Sequence, residues 1–261
     1  MATASPRRTV YLRGNADGRV MLDGPSLRVR LPGKSDQIVP LAQAARIHCF
    51  GTIEWDQAAL LACARLGIPV QFLGRNGERM GSFQPPQPAG PGNLAERLEH
   101  SLVDPGHSHH LSAWLLARQK TAANIAAIEG DPRNRRHRQE RVLQALPQYS
   151  RQSLKTLWAD FESLVRADAE NALRENGVDP AHPLARIRGL DLVNELGLLV
   201  LLERLPEALA RLGRDRPPRL GKLKPDFARL AELHASMESG IRRNLDRVMV
   251  GLHRELLELG G

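Results

Sequence analysis

Cysteine is almost missing from this chain, with only Cys49 and Cys63 in 261 residues. Each sits in an apolar context, RIHCF and LLACARLGI, so buried packing is expected rather than a disulfide or a catalytic thiol. Long hydrophobic runs are also missing. None approaches the roughly eighteen apolar residues that a bilayer span requires, and the opening MATASPRR lacks the apolar stretch of a secretory signal. A cytoplasmic protein without a membrane partner is expected. Acidic charge is in short supply: 29 carboxylates face 37 lysines and arginines, a formal net charge of +8. A surplus of that kind suits a polyanion, because each basic side chain that neutralises a phosphate releases a counterion.

What is present is ordinary for a globular protein, 42% hydrophobic and 25% charged, long enough for one large core or two smaller ones. The positive charge is localised. Residues 111–155 carry nine basic and three acidic groups, residues 156–210 five and ten, and the run from Arg211 to Lys224 six and one.

The first eighty or so residues alternate as short strands: TVYL at 9–12, RVML at 19–22, SLRVRL at 26–31, QIVPL at 37–41 and RIHCF at 46–50. Gly14 to Gly18, Asp23-Gly24-Pro25 and Pro32-Gly33-Lys34 punctuate them as hairpin turns, which predicts an antiparallel sheet or sandwich. One helix interrupts it, QAALLACARLG, with Asp56 at its start and Gly67 at its end; a buried strand, IPVQFL, follows at 68–73. Residues 84–93, QPPQPAGPGN, can continue neither a ladder nor a helix and read as a linker near 84–95. Beyond it the period is helical. Leu154, Leu157, Trp158, Phe161, Leu164 and Val165 share one face, and the series Ile241, Leu245, Val248, Leu252, Leu256 and Leu259 shares another. The fold class expected is α+β: a β-rich domain over 1–83, then an all-helical domain over 96–261.

The string FGTIEWDQAALLACARLGIPVQFLGRNGERMGSF at 50–83, with YL…G.V.LDG..LRV before it and ARQKTAANIAAI at 117–128 after it, resembles the CRISPR spacer-acquisition integrase family. The resemblance implies a dimerising β-domain followed by a helical catalytic domain that binds duplex or branched DNA, and hence a homodimer joined through residues 1–83. It further implies the small Cas-two protein as a partner. Read for its own chemistry, the N-terminal string is packing: it holds no carboxylate pair, histidine cluster or phosphate-cradling loop.

In that family a glutamate, a histidine and an aspartate hold a divalent cation, magnesium or manganese, that lets a 3′-hydroxyl attack target DNA. GVDPAHPLARIRGLDLVNEL at 177–196 looks like the stretch that carries the last two, with His182 and Asp191 at the matching positions. Asn194 stands where the family has an acidic residue, but Glu195 shares a helix face with Asp191. His182, preceding Pro183, has a loop or capping role as its alternative. The family glutamate has no intact counterpart: Glu129-Gly130 is followed at once by Asp131-Pro132-Arg133, which breaks the helix that should present it. Glu140 is the alternative third carboxylate. The catalytic set implied is therefore His182, Asp191 and Glu195, with Glu140 as a further metal ligand. RNRRHR at 133–138 reads by itself as a solvated turn. The resemblance turns Arg133, Arg135, Arg136 and Arg138 into phosphate contacts, extended by Arg118, Lys120, Arg141, Arg151 and Lys155. Two functions stand side by side: a metal-dependent DNA integrase or endonuclease, and a catalytically inactive family member that binds DNA as a scaffold or dimerising subunit.

Overall fold

The computed structural model of the protein describes residues 7–74, 78–85, 94–102, 104–180, 186–187, 190–215 and 226–259. Most of the Pro/Gly stretch, His182 and residues 216–225 of the second basic run lie outside the described residues. The chain divides into two compact units, Met1–Pro88 and Ala89–Gly261.

The first unit holds two four-stranded sheets. One runs β1 (Arg8–Arg13), β5 (Ala44–Phe50), β7 (Val70–Leu73), β8 (Arg79–Phe83), and the other β4 (Gln37–Pro40), β3 (Ser26–Arg30), β2 (Arg19–Asp23), β6 (Glu54–Trp55). The hairpin punctuation governs the second sheet, where Gly24-Pro25 turns β2 antiparallel onto β3 and pairs Val20 with Val29. In the first sheet β1, β5 and β7 are parallel, and only β8 is antiparallel. The cause is α1 (Gln57–Arg65), a crossover helix that returns the chain to start β7 in the direction of β5. Asp56 stands at the N-cap of α1 but makes no capping bond; its carboxylate pairs with Arg19 at 2.8 Å. Gly67 (φ 69) closes the helix, with Ile68 N–H donating to the Cys63 carbonyl at 2.9 Å. Leu12, Val20, Leu27, Val29 and Ile47 from both sheets share one core with Ile68, Cys49 and Cys63.

The second unit is helical: α2 (Leu94–Leu102), α3 (Pro105–Ile125), α4 (Arg135–Ala145), α5 (Arg151–Glu175), α6 (Leu192–Leu212) and α7 (Phe227–Leu259), with a two-residue pairing of β9 (Arg186–Ile187) and β10 (Leu190–Asp191) ahead of α6. The stripe from Leu154 to Val165 is buried, as is the α7 series from Ile241 to Leu256. α5 lies at the centre, packed against α4, α6 and α7, and it buries polar groups on the faces its apolar stripe leaves free: Asp160, Glu162, Asp168 and Glu170. Such groups persist inside a core only when bonded. His234 of α7 supplies one partner, at 2.9 Å from Asp168. Among the described residues no helix is long and apolar enough to cross a membrane.

Candidate nucleic-acid interface

The chain leaves α3 through a residue that pays for its conformation in strain, Ala127, with φ 54. Ile128 N–H donates to the Ala123 carbonyl at 3.0 Å, the bond of a left-handed helix stop usually made by glycine. Gly130 (φ 85) turns the chain again, so Glu129 stands exposed on a turn rather than on a helix. Asn134 then caps α4, its side chain accepting from Arg136 N–H at 2.9 Å. Arg135, Arg136 and Arg138 therefore belong to the first turn of a helix, where the sequence by itself suggests a solvated turn.

The geometry of α4 delivers those arginines to different neighbours. Arg138, its side chain only 9% exposed, donates from Nε to Glu162 at 3.0 Å and from Nη1 to the carbonyls of Pro132 and Arg133. Arg135 forms an ion pair with the other oxygen of the same carboxylate at 3.3 Å, and Trp158 Nε1 donates a second hydrogen bond to Oε1 at 2.9 Å. Glu162 is only 5% exposed. One buried carboxylate thus holds two guanidinium groups and ties α4 to α5. Beside this knot Arg133 donates to Glu195 Oε2 at 3.1 Å and to Gln119 Oε1 at 3.3 Å, while the buried Gln119 donates to Glu195 Oε2 at 2.6 Å.

One turn beyond Glu162 on α5 stands Arg166, half-buried, with no hydrogen bond or ion pair among the described residues. Burial lowers its pKa; nearby Glu162 and Asp191 act against the shift, and Arg135 and Arg138 add to it. α6 comes close there because Gly197 has no side chain: a Cβ would lie 3.1 Å from the Arg166 Cα.

Residues 13–175, well over half of the chain, match the family described as CRISPR associated protein Cas1. The chain belongs to the Cas1 family. The match ends at the last residue of α5. The fold likeness extends further, to a CAS1 protein from Thermotoga maritima (TM-score 0.66, 13% identity, covering 96% of this chain and 97% of that one). A casposase bound to integration product is similar at TM-score 0.66 and 10% identity, over 96% and 91% of the two chains. TtCas1 is similar at 0.59 and 15% identity, over 95% and 98%. No curated protein matches the chain significantly.

The candidate ligands that the structure describes are each engaged within the protein. Asp191 caps α6, one oxygen accepting Asn194 N–H at 3.0 Å and the other Asn194 Nδ2 at 2.8 Å. Glu195 is held by Gln119 and Arg133. Glu140 stands on α4 facing a separate groove with Leu143 and Tyr149, and pairs with Arg136 at 2.9 Å. His182 lies outside the described residues. Among the described residues no three His, Cys, Asp or Glu side chains come together as metal ligands. The described carboxylates among them accept N–H groups or pair with arginine side chains: Asp191 with Asn194, Glu195 with Gln119 and Arg133, and Glu140 with Arg136.

The basic residues singled out in the sequence also separate. Arg133, Arg135 and Arg138 meet around Glu195 and Glu162, Arg136 projects to solvent with its side chain 82% exposed, and Arg141 donates to the Ala126 carbonyl at 3.0 Å. Arg118 lies over Trp114 in a groove of about 680 Å³ between α3, α6 and α7 that also holds Arg204 and Arg247. Lys120 is exposed on α3, and Arg151 and Lys155 open α5. Sequence reasoning passed over Gln119, Glu162 and Arg166. The available signal was Glu162 and Arg166, four apart and of opposite charge, beside the apolar stripe of α5.

Proposed function

We propose that this Cas1-family protein binds duplex or branched DNA in CRISPR spacer acquisition as a metal-independent scaffold rather than as an active integrase. The observation that carries this reading is the guanidinium group of Arg133 on Glu195, beside an Asp191 committed to capping. A phosphate approaching this corner meets fixed positive charge before it meets a cation site. The casposase bound to integration product lends the fold a precedent on DNA. The homodimer through residues 1–83 and the small Cas-two partner complete the reading: a non-catalytic subunit contributes by holding DNA and by joining other subunits.

The test is fluorescence anisotropy with labelled duplex and branched DNA in EDTA, magnesium and manganese, run beside a strand-transfer assay. Binding is expected in all three buffers, with no strand transfer. Transfer in manganese that disappears in both Asp191→Ala and Glu195→Ala would restore the enzyme.

A further inference from the structure

The corner where α4, α5 and the start of α6 meet holds more cation than anion. Arg133, Arg135, Arg138 and Arg166 gather there against Glu162, Glu195 and Asp191. The anions are spent: Glu162 accepts hydrogen bonds from Arg138 and Trp158 and pairs with Arg135, Glu195 is held by Arg133 and Gln119, and Asp191 caps its helix. Arg138 is also spent, on Glu162 and two carbonyls. The remaining arginines keep donor capacity in hand. Arg133 and Arg135 are 39% and 52% exposed in their side chains. Arg133 uses Nε and Nη2 on Gln119 and Glu195, and Arg135 meets Glu162 at 3.3 Å through Nε as an ion pair, without a hydrogen bond to it among the described residues. Arg166 is half-buried, with no hydrogen-bonding partner among the described residues. A guanidinium held partly out of water without an acceptor is costly unless an anion arrives to meet it. The planar fork fits a phosphate with two parallel bonds.

We propose that Arg166, with Arg133 and Arg135 at its rim, forms a phosphate-binding site that takes a backbone phosphate of DNA directly on guanidinium groups. This rests on the DNA-binding reading and gives it a location. The same chemistry would accept inorganic phosphate or a free nucleotide, and the two sources are separable by experiment. Gly197 serves the site by letting α6 close onto α5 beside Arg166, and Glu162 serves it by anchoring Arg135.

The experiment compares the full chain with Arg166→Gln, Arg166→Lys and Arg254→Gln, the last removing an equal charge from the exposed face of α7. Each is titrated with labelled duplex in EDTA at several salt concentrations, and melted with and without inorganic phosphate. Arg166→Gln is expected to weaken duplex binding about tenfold, the scale of one charged hydrogen-bonded contact. Its log affinity against log salt should flatten by about 0.9, one phosphate's worth. Its melting temperature without ligand should equal or exceed that of the wild type, the opposite of what a merely structural arginine would give. Arg166→Lys should recover part of the affinity, and Arg254→Gln should match wild type. Wild-type affinity and slope in Arg166→Gln would overturn the site and leave the DNA-binding reading intact. A wild type that ignores DNA but is stabilised by phosphate through Arg166 would keep the site for a free phosphate and overturn DNA as its source. A wild type that responds to neither would overturn both.

Discussion

Glu162 accepts hydrogen bonds from Trp158 and Arg138 and pairs with Arg135 while almost wholly withdrawn from water. Replacing it with alanine strands the buried Arg138, and breaking a buried ion pair from one side costs about 3–5 kcal/mol; urea unfolding of Glu162→Ala should show a loss of that order. Arg138→Met in the Glu162→Gln background should recover much of it, because neither variant side chain leaves a buried charge. Ala127 makes the opposite case, since the fold holds it at φ 54. Ala127→Gly should stabilise the protein by about 0.5–1 kcal/mol, as relief of left-handed strain outweighs the added freedom of the unfolded chain. In the first unit, burial pushes the Cys49 and Cys63 thiols up from 9.0 to about 11. The fold thus favours the protonated thiol, and this contribution is complete below pH 9 and lost as the pH rises toward 11. The urea midpoint should fall across that window, and Cys49→Ala should fall less steeply.

α6 depends on a close approach to α5 that only a glycine permits. Gly197→Val would drive a side chain against the Arg166 backbone, and overpacking of this kind costs about 1–3 kcal/mol. The melting temperature of Gly197→Val should fall, and its DNA affinity with it, as α6 is pushed off the arginine corner. Elements whose signals are local were legible in the sequence. The hairpin of β2 and β3, the glycine stop of α1 and the apolar stripes of α5 and α7 each rest on residues within one or two turns of each other. The parallel pairing of β1 with β5 was not, since the connection between them is three strands of the other sheet rather than a turn. The start of α4 could have been read: Asn134 before a run of good helix formers is a capping signal, but the density of arginine suggested a solvated turn. The tie between Arg138 and Glu162 spans 24 residues, and no periodicity announces a contact of that range. The arginine corner was legible as a basic run, and its anchoring carboxylate was not.

On the scale of the whole molecule, the two compact units divide near Pro88, and every arginine of the proposed phosphate site lies in the second. Expressed alone, residues 89–261 should keep DNA binding in EDTA, while residues 1–88 should show none and should sediment as a dimer at micromolar concentration; loss of binding in the isolated helical unit would move the DNA contact onto both. The use of arginine at the phosphate site has a consequence for control. A divalent ion can be chelated, exchanged or allowed to run short, so a protein that needs one can be idled by its surroundings. A guanidinium is built into the chain and keeps its proton through any pH a cell reaches. The grip on DNA would then be set at translation and released by ionic strength or by a competing polyanion, which makes this chain a permanently armed clamp rather than a switchable one.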